Sequence, residues 1–218
     1  MKSILFKTEA VKAILDGRKT VMRRVLAEKE RLDKKHGLDR EPYKSRTGEW
    51  CVDKQTDVDD YRTCVLQPRY QPGDVLYVRE TWNKVKLESE SEWRYEYRAS
   101  CENPSYFSNG FMAEWRPSVH MPKEAARIFL RVIDVRVERL QDITYEGCKA
   151  EGFDGAFFTD DTEGLPAIAI RRFSRSWDSA IKTDDREYVG WEANPWVWVI
   201  EFERISREEA MPEERHVD

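Results

Sequence analysis

RIFLRVIDVRVERL, residues 127–140, is the longest strand-like stretch of the chain, and its apolar residues do not keep one phase. Ile128, Leu130 and Val132 hold even positions, whereas Ile133, Val135 and Val137 hold odd ones. Side chains of a strand alternate between two faces, so this shift turns the apolar side over part-way along. A β-bulge produces such a shift, and so does a strand that leaves one sheet for another; such corners are common in small barrels.

Other elements follow on either side. A short apolar run at 4–6, the strand-like stretch EWRYEYRAS at 92–100, residues 75–82 launched by a Pro-Gly turn at 71–74, and NPWVWVIEFERI at 194–205 all read as strands. A first helix has Thr8 as its cap, Val11, Ile14 and Leu15 on one face, and Gly17 as its stop. A second spans 144–151 between a Thr144 cap and Gly152, and a third opens at Pro166 with Ile170, Phe173, Trp177 and Ile181 on one side. Strands with three short helices favour one α+β domain over 1–205, built on a closed or nearly closed sheet. The polar, mixed-charge stretch 28–70 reads as an insertion with room for a hairpin, and 154–166 as a second, acidic insertion. Residues 206–218 read as an acidic tail that solubilises the chain.

Charge and composition narrow the function. A net charge of −5 over 218 residues argues against a protein that coats nucleic acid nonspecifically. Yet residues 1–27 carry seven Lys and Arg against two acids, a positive patch suited to a defined anionic ligand. Four scattered cysteines without a C-x-x-C pair, and three histidines, make no zinc ligand set, so free thiols and no metal or cofactor are expected. No apolar run has the length of a signal peptide or membrane span, which predicts a cytoplasmic protein without membrane partners.

The patch centres on GRKTVMRR, residues 17–24. It starts where a helix ends, so the dipole favours Arg18 and Lys19 there, and it continues as extended chain. Strand alternation sends Thr20 away from Lys19, and Arg23 away from Arg24. One of the two can then face a ligand while the other meets an acid elsewhere, and for Arg23 a surface ion pair is expected. A lysine among arginines is disposed to lose its proton, and only a neutral amine acts as a base. Anion binding by Lys19 without chemistry stays open. Glu80 ends a strand beside Arg79 and reads either as a cleft carboxylate or as a structural ion pair. Trp82 and Trp115 are candidate surfaces for stacking a base, whereas Trp177, Trp196 and Trp198 read as core. His120 is a candidate hydrogen-bonding group toward a ligand.

The fragments ILDGRKTVMRR (14–24), QPGDVLYVRETW (71–82), WRPSVHMPKEAARIFLRVIDVRVERLQDI (115–143), AEGF (150–153) and NPWVWVIEFERI (194–205) occur in this order. Together they resemble ASCH-domain proteins, a branch of the PUA-like superfamily, especially the larger forms encoded by phages and prophages. The resemblance implies a small β-barrel with short helices at its mouth and a cleft lined by the Gly-Arg-Lys-Thr segment. It implies binding of RNA or a modified nucleoside, with Arg18, Arg24, Glu80, Trp82, Trp115 and His120 as binding candidates. Some members are amidohydrolases that remove the acetyl group of N4-acetylcytidine with a lysine, a threonine and a glutamate. The lysine matches Lys19 and the glutamate Glu151, but the threonine position holds Met22, whose thioether has no proton to lose. Thr20 can substitute only through irregular backbone, and the alternative is that Lys19 activates water directly while Glu151 orients it or shuttles the proton. A noncatalytic nucleic-acid or protein interaction module and a ribonuclease acting on single-stranded RNA are the other readings.

Overall fold

The computed structural model describes residues 1–26, 41–57, 60–86, 92–108, 110–153 and 164–212. In chain order the elements are β1 (Lys2–Leu5), α1 (Thr8–Leu15), β2 (Val21–Val25), β3 (Tyr43–Lys44), β4 (Trp50–Asp57), β5 (Asp60–Leu66), β6 (Val75–Arg79), β7 (Trp82–Lys86) and β8 (Trp93–Tyr97). They continue as β9 (Phe129–Arg139), α2 (Tyr145–Ala150), α3 (Gly164–Ala180), α4 (Arg186–Val189), β10 (Trp196–Ile205) and α5 (Arg207–Ala210). The fold is α+β. Among the described residues the strands form a five-stranded sheet in the order β1-β6-β9-β10-β2, a three-stranded sheet β3-β4-β5 and a two-stranded sheet β7-β8, and no closed barrel. No helix of the described residues is long and apolar enough to cross a membrane.

The chain clusters into two compact units, Met1–Thr20 with Pro72–Ile133 and Phe202–Asp218, and Val21–Gln71 with Asp134–Glu201. The boundary at residues 133 and 134 falls where the apolar phase of β9 changes. Leu130 and Val132 are buried, Ile133 is exposed, and Val135 is the next buried residue. The strand does not leave one sheet for another at this shift: β9 stays in the five-stranded sheet, between β6 and β10.

In the first unit β1 runs parallel to β6, from Lys2 opposite Leu76 to Leu5 opposite Arg79. The run 75–82 is not a single strand: β6 ends at Arg79, and β7 starts a separate ribbon with β8 at Trp82. Trp82, Met121, Ala125, Ala126, Phe129 and Ile205 form this unit's apolar cluster, with Tyr95 and Tyr97 packed on it. Lys7, not Thr8, occupies the N-cap of α1, and no side chain caps it.

In the second unit β2 pairs antiparallel with β10, Arg24 opposite Trp198 and Met22 opposite Ile200. Thr144 caps α2 by accepting from the Gly147 amide, and Gly152 ends it at φ +90°. α3 begins at Gly164, two residues before Pro166, and buries Ile168, Ala169 and Phe173. Phe173 carries the cluster, with Phe153, Trp177 and Trp191 rings 5.8–6.1 Å away. The hairpin anticipated within 28–70 is β4 with β5, extended by β3 to three strands. Residues 27–40, most of the acidic insertion (154–163) and the end of the tail (213–218) lie outside the described residues.

Candidate functional site

In the first unit the turn after α1 sets the direction of Lys19. Gly17 takes φ +72°, a left-handed conformation that glycine adopts without a steric penalty. The chain then wraps back so that the Ala13 carbonyl accepts from the amides of both Arg18 and Lys19. Lys19 consequently turns inward and is 6% exposed, the only buried lysine among the described residues. Its neighbours turn out. Arg18 pairs with Asp16 at 2.8 Å on the surface, and Thr20 is exposed while its carbonyl accepts from the Phe202 amide. Lys19 is thus buried and Thr20 exposed, just before β2 begins at Val21.

Glu80 is 1% exposed and holds a partner that the sequence reading did not single out. Both of its carboxylate oxygens accept from Arg127, from Nε and Nη2, at 2.9 Å each. Two parallel bonds of this kind fix the carboxylate geometrically as well as electrostatically. The Arg127 guanidinium also lies 4.0 Å from the Tyr97 ring centre and donates to Ser100 Oγ. Burial raises the Tyr97 pKa, with Arg127 opposing that rise, and the phenol donates to the Ala125 carbonyl at 2.6 Å. Glu80 is thus held in an ion pair with Arg127, the residue that opens the strand-like stretch 127–140.

The aromatic candidates divide. Trp82, expected as a stacking surface, is 5% exposed and packs in the core with the Arg116 guanidinium 5.5 Å from its ring centre. Its faces are therefore covered. Trp115 is half-buried, donates its indole N–H to the Pro104 carbonyl at 2.7 Å and meets Phe107 edge-on. His120 is exposed in the turn Ser118–His120.

In the second unit Arg23 corrects the expectation of a surface salt bridge. Its side chain is 3% exposed and lies between two carboxylates, with Nη1 3.4 Å from Glu151 and Nη2 3.3 Å from Glu138. Arg136 holds the other oxygen of Glu138 at 2.6 Å, so the charges alternate along Arg136, Glu138, Arg23 and Glu151. The Arg23 Nε is buried without an acceptor. Glu151 is 6% exposed and stands at the C-cap of α2. Beside it, burial pushes the Cys148 thiol up to about 11, Arg23 acting to lower it and Glu151 to raise it. That thiol is a packing group, not a nucleophile.

Arg24 lies on the other face of β2 and is exposed. Although it reaches the surface, atoms around its guanidinium desolvate it and lower its pKa, with Tyr70 and Glu151 acting to raise it and Arg69 to lower it. Met22 is 2% exposed. The catalytic and binding candidates are thus divided between the units: Arg18, Lys19, Thr20, Glu80, Trp82, Trp115 and His120 in the first, Arg24 and Glu151 in the second. No group of His, Cys, Asp and Glu among the described residues forms a metal cluster. No protein-family model, curated protein or solved structure gives a significant match to this chain.

Proposed function

We propose that the chain is an ASCH-type protein of the PUA-like superfamily that binds RNA or a modified nucleoside and hydrolyses an amide on the base, as in N4-acetylcytidine. The observation that carries this reading is the burial of Lys19, at 6% exposure, at the position of the family's catalytic lysine. Withdrawing a lysine from water costs free energy that a surface lysine does not incur, and a group held there at such cost is a candidate for chemistry. Glu151, at the position of the family's glutamate, is buried to the same degree.

The route differs from the covalent one. Met22 occupies the threonine position, and Thr20, exposed while Lys19 is buried, does not replace it. In the proposed reaction the Lys19 amine takes a proton from water as the new C–O bond forms at the acyl carbon. The protonated Lys19 returns that proton to the exocyclic nitrogen as the C–N bond breaks, releasing a carboxylic acid and the free base amine. No acyl-enzyme forms.

Met22 also favours a second reading, a binding module of the same architecture without chemistry. Incubating the protein and Lys19→Ala with a panel of acylated nucleosides and short RNAs, with products read by mass spectrometry, separates the two. Product from the wild type alone supports hydrolysis. Unchanged nucleosides with salt-sensitive RNA retention, weakened by Lys19→Ala, support the module. Product from both proteins alike removes Lys19 from the mechanism.

A further inference from the structure

The ribbon β7–β8 of the first unit sorts its side chains by chemistry. Trp82 stands opposite Tyr97, Lys84 opposite Tyr95 and Lys86 opposite Trp93, so one face of the pleat carries only aromatic rings and lysines. Glu96, the one carboxylate of β8, alternates onto the other face, where it accepts from the Arg94 guanidinium and the Ser108 amide. A third segment widens the first face, because Arg116 is bridged to Trp82 and the two exchange main-chain hydrogen bonds.

Two cations on this face are held by rings and not by acids. The Arg116 guanidinium lies 5.5 Å from the Trp82 ring centre, Trp82 meets Tyr95 at 5.7 Å, and the Lys84 Nζ lies 5.6 Å from the Tyr95 ring centre. Both cations are exposed, and among the described residues no carboxylate bonds either of them. An aromatic ring orients a cation without cancelling its charge. Register sets their spacing. Arg116 stands opposite Trp82, two residues from Lys84 along β7, and Lys84 stands opposite Tyr95, two residues from Trp93 along β8. The steps from Arg116 to Lys84 and from Lys84 to Trp93 are therefore diagonals between neighbouring segments, about 7–8 Å each. Trp93 is 58% exposed, and no hydrogen bond or aromatic contact engages its ring. Trp82, the stacking surface expected from sequence, is buried, and Trp93 supplies an open indole on the same face. An open indole beside two unneutralised cations suits a single strand of nucleic acid, whose bases stack on aromatic rings while its phosphates meet the cations.

We propose that Trp93, Lys84 and Arg116 form a binding face for single-stranded RNA. The proposal rests on the RNA-binding reading above, names a single strand as the ligand, and draws on residues of the first unit alone.

Binding of fluorescein-labelled hexacytidylate is measured by anisotropy across a salt series, for the wild type, Trp93→Ala, Lys84→Gln/Arg116→Gln and Glu114→Gln. All four side chains are exposed, and thermal melting checks that each variant is folded. Glu114, whose carbonyl accepts from Asn83, is an acid two residues from Arg116, so neutralising it acts in the opposite direction. The expected results are binding about tenfold or more weaker in Trp93→Ala, a dependence of log K on log salt shallower by about 1.4 in the double variant, for two phosphates released, and tighter binding in Glu114→Gln. No binding by the wild type, unchanged affinity in Trp93→Ala, an unchanged salt dependence in the double variant, or weaker binding in Glu114→Gln overturns the proposal. So does a preference for an RNA duplex, or equal binding of hexaglutamate, which assigns the face to an acidic protein. Wild-type hydrolysis of N4-acetylcytidine is followed in parallel. Hydrolysis without strand binding sinks this face alone, and strand binding that needs Trp93, without hydrolysis, sinks the enzymatic reading alone.

Discussion

Replacing Arg23 with leucine removes a buried positive charge bonded to both Glu138 and Glu151, and the magnitude of the damage can be worked from the surroundings. Breaking a buried ion pair by deleting one partner costs about 3–5 kcal/mol, because the remaining charge stays buried without compensation. Three features place this case at the low end. The contacts are single and long, 3.3 and 3.4 Å, and Glu138 is 27% exposed and still held by Arg136. Removing Arg23 also removes a buried Nε that has no acceptor, which returns part of the loss. A destabilisation of about 3 kcal/mol is therefore expected for Arg23→Leu in urea unfolding followed by tryptophan fluorescence. The specific claim lies in the second step: adding Glu151→Gln should recover about 1 kcal/mol or more, because a buried carboxylate that has lost its Arg23 bond is then neutral. If Arg23→Leu costs under about 1 kcal/mol, or if Glu151→Gln makes the leucine variant still less stable, the alternating-charge account of this cluster is wrong.

Two further predictions concern stability. Arg127→Met leaves Glu80 almost fully buried with neither of its 2.9 Å bonds, so a loss of about 3–5 kcal/mol is expected in chemical denaturation, partly reversed by Glu80→Gln. An unchanged denaturation midpoint in Arg127→Met would contradict the structural role of the pair. The Cys148 thiol, raised to about 11, keeps its proton in the folded state at a pH where the unfolded thiol has lost it. The folded state then binds more protons, so this contribution is complete below about pH 9 and disappears as pH rises toward 11, roughly 2 kcal/mol in all. The difference in stability between the wild type and Cys148→Ala, measured from pH 8 to 11, should narrow over that window, and a constant difference would refute the assignment.

Local signals in the sequence carried most of the fold. The Thr144 cap, the Gly17 and Gly152 stops and the strand at 194–205 were legible because each depends on a few adjacent residues. The phase change in 127–140 was legible as a change, but its meaning was not. A bulge and a change of sheets leave the same pattern, and only long-range pairing, which keeps β9 within one sheet, separates them. The partition of 75–82 into two strands was hidden because Val75 to Trp82 alternates smoothly, and the break follows from where β8 pairs. For the candidate site, alternation put Lys19 and Thr20 on opposite faces without saying which was inside; the structure buries Lys19 and exposes Thr20. It also separated Arg23 from Arg24 but did not say which was inside, and the surface ion pair expected for Arg23 is instead a buried one. Which face of an edge strand is inside depends on what packs against it, and here that is Glu138 and Glu151, more than a hundred residues away in sequence. Arg127 was missed as the partner of Glu80 for the same reason.

The most direct test of the proposed function is release of cytidine and acetate from N4-acetylcytidine, timed for the wild type and Lys19→Met, with the intact mass of the protein recorded during turnover. The account predicts release by the wild type, a loss of about 10²-fold or more in the variant, and no acetylated protein at any time. Equal release by the two proteins, no release by the wild type, or accumulation of an acetylated protein would contradict it.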